Sequence, residues 1–270
     1  MTSQSYKPLT REQMAWRAAQ DLPEGAFVNL GIGIPTLAAS YVPGDREVIF
    51  HSENGVLGLG PKPGPGEEDE NLIDAGKNLT TLATGGCYVH HADAFLMIRG
   101  GHLDISLLGA FEVSETGDLA NWTTEDPAFP PGVGGAMDLA VGAGEIRVLM
   151  AHTHKSGSPR ILHRCTLPLT APGVVKRIYT DLAVIDVTPK GLVVLEMIPG
   201  MSVADSPDIR QGSCGPGGRP TPWFRSTARR HRRSRTDRSG LARRPRDCPW
   251  RRRHDHRCSR VRARRLAAGR

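Results

Sequence analysis

Val48 to Pro61 reads VIFHSENGVLGLGP. An apolar run, Val48-Ile49-Phe50, is stopped by one carboxylate, Glu53, and an Asn54-Gly55 turn, with Gly58, Gly60 and Pro61 close behind. A short apolar run bounded by turn residues is the pattern of a strand buried on both faces, as in a parallel sheet. A carboxylate at the C-terminal edge of such a strand stands where α/β proteins place ligands. Glycines around it let a substrate approach the backbone, and a carboxylate can act as a covalent nucleophile. The same peptide also reads as a surface turn, because Asn-Gly favours one and glutamates in loops are commonly exposed. On this stretch alone both readings stand.

Working outward, REQMAWRAAQDL has apolar residues at helical spacing and is ended by Pro23-Glu24-Gly25. AFVNLGIG reads as a strand that turns through Gly33-Ile34-Pro35 into a helix, TLAASYV; proline suits a first helical turn, where its missing N–H is no loss. DAFLMI fits a helix or a strand. LDISLLGAF, EIRVLMAHT, RIYTDLAVIDVT and GLVVLEMI have the branched-aliphatic density of further strands. Apolar strands joined by glycine loops and a few helices predict a sheet covered on both faces.

The 270 residues, 39% of them hydrophobic, suffice for one sizeable domain or two small ones. The net charge of +7 hides two opposite halves. From Ser206 to Arg270 there are 21 Arg and 4 Asp, with no Lys and no Glu; residues 1 to 205 hold 24 acidic and 14 basic side chains. We therefore expect a folded domain over 1–205 and a disordered, arginine-rich tail over 206–270, since like charge and few apolar groups oppose packing. Arginine as the sole cation is what GC-rich codons read out of frame produce, so the tail reads as a frameshift product. A nucleic-acid arm is the alternative, and with it a nucleic-acid-binding protein or an inactive relic of the gene. The first residues show no apolar core behind a cationic flank, and no run reaches the ~18 apolar residues of a membrane span, so neither a signal peptide nor a membrane anchor is expected. Five scattered cysteines (Cys87, Cys165, Cys214, Cys248, Cys258) suit a reducing cytoplasm.

Other candidate sites are weaker alone. NLGIGIPT, with Gly31 and Gly33, is a glycine loop before a helix start, a place that binds anions or simply turns tightly. PPGVGGAMD offers the backbone amides of Gly134 and Gly135 as oxyanion donors, or is a loop needing positive φ. His152 and His154, two apart on a strand and near His163 and Cys165, have the residue types of a metal site but no second paired motif; no metal is expected. Of His90 and His91, opposite in direction if extended, at most one can serve a site.

Together NLGIGIPTLAASYVP, SENGVLGLGP, LIDAGK, MIRGGHLDISLLGAFEVSETGDLANW, GGAMDLA, RCTLPLT and RIYTDLAVIDVTPKGL resemble the B subunit of the two-subunit class I 3-oxoacid CoA-transferases, over nearly all of residues 10 to 205. The resemblance implies an open α/β/α sandwich that pairs with an A subunit, with the active site at their interface. It implies that Glu53 of the Ser-Glu-Asn-Gly motif is the nucleophile and carries a glutamyl-CoA thioester. Gly134, or its neighbour Gly135, would supply the oxyanion N–H, and Lys77 of Ala-Gly-Lys would face CoA. Asn54 and Gly55 would shape the turn, and Asn121 and Trp122 would be support. The implied substrates are succinyl-CoA and a 3-oxoacid, 3-oxoadipate foremost and acetoacetate as the alternative. Coenzyme A is then a substrate, and no cofactor is implied. The Gly60-Pro61-Lys62-Pro63 loop matches the family; the arginine tail does not, because it stands where the family has a short amphipathic segment.

Overall fold

The computed structural model describes residues 6–128, 131–202, 213–214 and 221–222. The chain divides into Met1–Arg225 and Ser226–Arg270, and every described residue lies in the first unit. Most of the expected tail, with His254, His256 and Cys258, is therefore outside the described residues.

Helix α1 (Arg11–Gln20) opens on a capping box: the Gln13 N–H donates to Thr10 Oγ1 and the Thr10 N–H to Gln13 Oε1. It buries Met14, Ala15, Ala18 and Ala19 on one face. Strand β1 (Phe27–Leu30) follows, and Pro35–Ser40 forms a 3₁₀ turn with proline at its start instead of the expected α-helix. Next come β2 (Ile49–Ser52), β3 (Val56–Leu59) and β4 (Leu82–Tyr88). The ambiguous DAFLMI segment is helical, within α2 (His91–Arg99), started by a His90 side chain that accepts from the Ala92 N–H. Strands β5 (Ile105–Leu108), β6 (Glu112–Ser114) and β7 (Leu119–Ala120) lead to α3 (Ala136–Gly142). The remaining strands are β8 (Glu145–Leu149), β9 (Ile161–Leu162), β10 (Val175–Tyr179), β11 (Ala183–Thr188), β12 (Gly191–Met197), β13 (Ser213–Cys214) and β14 (Thr221–Pro222).

The centre is parallel: β2, β1, β5, β8 and β10 lie side by side and run the same way. Antiparallel strands extend it, β3 and β4 beyond β2, and β11 and β12 beyond β10. The short strands β13 and β14 pair parallel with β12, completing a sheet of eleven strands among the described residues. Strands β7, β6 and β9 form a separate small sheet. Alternating side chains of the central strands feed two cores. Val28, Leu30, Ile105, Leu107, Leu149 and Tyr179 pack with α1 and the 3₁₀ turn, whereas Leu108, Ile146, Val148 and Ile178 pack with Ile98 of α2 and Leu139 of α3. With both faces covered, the expected open α/β/α sandwich is the fold.

An ion-pair network locks α1 to the far side of the sheet. Arg17 grips both Glu196 oxygens at 2.6 and 2.7 Å, and Asp21 receives Arg17 at 2.7 Å, Arg177 at 3.0 Å and the Tyr179 hydroxyl at 2.8 Å. Burial works against the Asp21 charge, but Arg17, Tyr179 and Arg177 outweigh it and hold the carboxyl below the usual aspartate range. Removing one member of such a network leaves charge uncompensated. Asp21→Ala should lower stability by about 3 kcal/mol at neutral pH, read by urea unfolding. A folded-state pKa below the unfolded one gives stability that is present at neutral pH and is lost as pH falls through it. The gap between wild type and variant should therefore narrow in acid; a gap that widens there would contradict the network.

Candidate active site

Strand β2 carries the chain to the C-terminal edge of the parallel strands. There the Gly55 N–H bonds the Ser52 carbonyl at 3.0 Å, and Gly55 takes φ of 109°, so that Glu53, Asn54 and Gly55 return the chain into β3. A β-carbon on Gly55 would collide with the Val89 carbonyl oxygen, so only glycine fits. The turn and the ligand edge are thus one feature: Glu53 is the tip of a hairpin set at the end of a buried parallel strand.

The Glu53 side chain is half-buried, and Asn29 Nδ2 of β1 donates to its Oε2 at 3.3 Å. Burial pushes its pKa above the usual glutamate value, and the Asp74 carboxylate pushes the same way; the Asn29 hydrogen bond and the charge of His91 pull it back. On the backbone of the turn, His91 Nδ1 lies 2.8 Å from the Glu53 carbonyl oxygen. A carbonyl only accepts, so that nitrogen carries the proton. His90 and His91 are not both extended, yet only one meets the site: His90 caps α2, and His91, its first residue, clamps the turn.

A second turn leans on the first. Asn54 Nδ2 donates to the Ile73 carbonyl at 2.8 Å and the Ala75 N–H to Ser52 Oγ at 3.1 Å. This brings Lys77, exposed and held at φ of 63°, onto a turn tied directly to that of Glu53. Gly33, at φ of 99°, continues the loop at the end of the neighbouring β1. Gly31 does not offer a free anion donor as expected. Its N–H is committed to the Leu107 carbonyl at 2.8 Å, and its missing side chain lets β1 close on β5. The 3₁₀ turn behind this loop also has too few aligned amides to act as a helix terminus for an anion.

Gly134, at φ of 50°, stands in open space; Gly135 starts α3 against the Phe95 ring. Phe95 in turn packs on the His91 ring, centroids 4.8 Å apart. One face of α2 therefore connects the glycine loop to the Glu53 turn. Asn121 supports the end of β5, donating to the Gly109 carbonyl at 3.1 Å, and Trp122 Nε1 bonds the Leu169 carbonyl at 3.3 Å.

The expected strand pair His152 and His154 does not exist, because β8 ends at Leu149. His152 turns into the core beside Thr180, Nδ1 to Oγ1 3.0 Å, while His154 sits in a turn closed on Gly157 and Ser158. Among the described residues no group of His, Cys, Asp and Glu is placed to hold a metal ion, and no helix is long and apolar enough to cross a membrane.

Asn29, His51 and Phe95 were not singled out from sequence. A signal existed for the first two: a polar residue inside a strand buried on both faces must find a partner, and FVNL and IFHS each carry one.

The half-buried glutamate thus stands at the end of a parallel strand among glycine turns. The model of the coenzyme A transferase family matches residues 11–205, and the chain belongs to that family. It is 57% identical over 198 residues, 73% of this chain and 91% of the other, to the B subunit of 3-oxoadipate CoA-transferase from Acinetobacter baylyi. It is 47% identical over 195 residues, 72% of this chain and 90% of the other, to the B subunit of the probable succinyl-CoA:3-ketoacid coenzyme A transferase from Bacillus subtilis. The fold is shared with an acyl-CoA transferase from E. coli O157:H7, solved as a thioester complex with CoA, at 19% identity and a TM-score of 0.60; the match covers 81% of this chain and 44% of that one.

The turn itself is testable. Gly55→Ala forces a β-carbon into the Val89 carbonyl at a left-handed φ, and should cost about 2 kcal/mol or more and several degrees of Tm. An unchanged thermal melt would show that the turn is not built this way.

Proposed function

We propose that this chain is the B subunit of a two-subunit CoA-transferase that moves CoA from succinyl-CoA to a 3-oxoacid through Glu53. The observation that carries the proposal is the Glu53 carboxyl group: withdrawn from water at a ligand edge, yet accepting a hydrogen bond from Asn29 that favours its charged form. The identity to the B subunits of 3-oxoadipate CoA-transferases, 57% and 60% in two bacteria, favours 3-oxoadipate as the acceptor. Lower identity, 46–47%, to the B subunits named for 3-ketoacids makes acetoacetate the second choice. Relatives named as B subunits support an A subunit for its partner, and a cytoplasmic setting suits its substrates. A nucleic-acid role would rest on the tail alone.

In the first step the Glu53 carboxylate attacks the succinyl thioester carbonyl. The C–S bond breaks, leaving a succinyl-glutamyl anhydride and CoA thiolate. The thiolate then attacks the Glu53 carbonyl, succinate departs, and a glutamyl-CoA thioester remains. The 3-oxoacid carboxylate attacks that thioester carbonyl and expels the thiolate, forming a new anhydride. Attack of the thiolate on the oxoacyl carbonyl releases 3-oxoacyl-CoA and restores Glu53. Each stage exchanges one activated acyl bond for another, so the cycle is ping-pong and calls for no ATP, metal or resident cofactor. Partial desolvation strengthens a carboxylate that water would blunt. Each tetrahedral intermediate places negative charge where the Gly134 N–H, with Gly135 as the neighbouring donor, would receive it. Lys77 is suited to a CoA phosphate, and Gly33, Asn54 and Gly55 shape the approach.

With succinyl-CoA and a cognate A subunit, borohydride reduction followed by peptide mass spectrometry should place the modification on Glu53, and Glu53→Gln should lose transfer while still assembling. Labelling elsewhere, or transfer by the glutamine variant, would overturn the mechanism. The nucleophile is the ionised form and its pKa is raised, so kcat/KM should fall on the acid side at a pH above the usual glutamate range.

A further inference from the structure

Three polar residues stand side by side in the most buried part of the sheet. In register, Asn29 of β1 faces His51 of β2 on one side and Ser106 of β5 on the other, and all three are 0% exposed. The residues beside them in the same strands, Val28, Phe50 and Ile105, are apolar and also buried. Polar groups here cost stability unless each finds a partner, so a row of three requires a reason.

The hydrogen bonds supply one. Asn29 Nδ2 lies 3.0 Å from His51 Nδ1, 3.3 Å from the His51 carbonyl oxygen and 3.3 Å from Glu53 Oε2. The carbonyl can only accept, and so can the ionised carboxylate; both therefore demand the NH₂ end of the amide on this side. With the amide fixed that way, His51 Nδ1 must be bare and its proton must sit on Nε2. Burial pushes the ring's pKa down and so favours the neutral form, and the Ala94 backbone of α2 only partly opposes this. Asn29 Oδ1 and the Ser106 hydroxyl, an acceptor and a donor on adjacent strands, are buried without an aligned partner among the described residues, and so is His51 Nε2. The row is polar from end to end, and Glu53 is the group at its open edge.

We infer that His51 is a positioning residue for the transfer reaction. As a neutral Nε2–H imidazole it anchors the Asn29 amide on its bare Nδ1, and Asn29 in turn holds the Glu53 carboxylate in its attacking orientation. A methyl-sized change at this place would leave the carboxylate in the site but let it swing. The inference rests on the proposed role of Glu53, and its consequence falls on kcat rather than on substrate binding.

Two nearly isosteric substitutions separate the role from mere packing. His51→Asn keeps an acceptor oxygen where Nδ1 stands, whereas His51→Gln carries it outward toward the Nε2 position. In the full chain assembled with its A subunit, His51→Asn should retain kcat within roughly threefold. His51→Gln should lose on the order of tenfold or more with KM for the acyl-CoA unchanged, because a displacement of about 1 Å at a reacting group can cost ~100-fold. Equal kcat in the two variants, high or low, would overturn the inference. A wild-type measurement needs no variant to fold well: ¹⁵N spectra of the histidine-labelled chain should show His51 neutral with Nδ1 bare at neutral pH. A proton on Nδ1, in an enzyme that still labels at Glu53, would contradict this inference alone. A chain that never labels at Glu53 but shows the Nε2–H ring would contradict the proposed reaction and leave the hydrogen-bond row as described.

Discussion

One carboxylate must be kept out of water without being neutralised. Burial pushes Glu53 toward its protonated form, and Asp74 nearby adds to that pressure. Full solvation would leave it ionised but inert. The Asn29 hydrogen bond, at 3.3 Å, is the main counterweight, with the backbone of Glu53 and then His91 behind it. The rest of the site is arranged to hold that balance. Parallel pairing of β1 with β2 sets Asn29 opposite His51, one turn of chain below Glu53. Gly55 bends the backbone so that the carboxylate stays at the strand end instead of following β3 outward.

Helix α2 supplies the second support. Its first residue clamps the Glu53 carbonyl, and Phe95, one helical turn on, stacks against His91 and sits under Gly135. A shift of this helix would move Glu53 and the glycine loop together. That coupling suits a reaction in which the same oxyanion position serves successive intermediates. It also places the work of alignment on elements of the sandwich, with the flexible loops left to meet substrate.

Much of this was legible in the sequence, and what was missed has physical causes. The strand-turn pattern around Glu53, the amphipathic first helix and the buried central strands all depend on local chemistry, and local chemistry is what a single sequence displays. The 3₁₀ turn at Pro35–Ser40 was expected as an α-helix because proline and small residues open both. The His152–His154 pair was expected on one strand because an apolar run does not reveal where pairing stops; β8 ends three residues before His152. Gly31 looked like an anion loop because a close strand approach and a free amide use the same residue. The Asn29–His51–Ser106 row was invisible for a different reason: it exists only through register, which joins residues more than twenty positions apart in the chain.

The central claim is that Glu53 is raised in pKa by burial and is nonetheless ionised where the enzyme works. The most direct test is the titration of that one group in the isolated chain, by ¹³C NMR of carboxyl-labelled glutamate with Glu53→Gln to assign the signal. The account predicts a midpoint above the usual value of 4.5 and, because the proposed nucleophile is the carboxylate, an ionised group at neutral pH. A midpoint at or below 4.5, or a neutral acid at neutral pH, would contradict it.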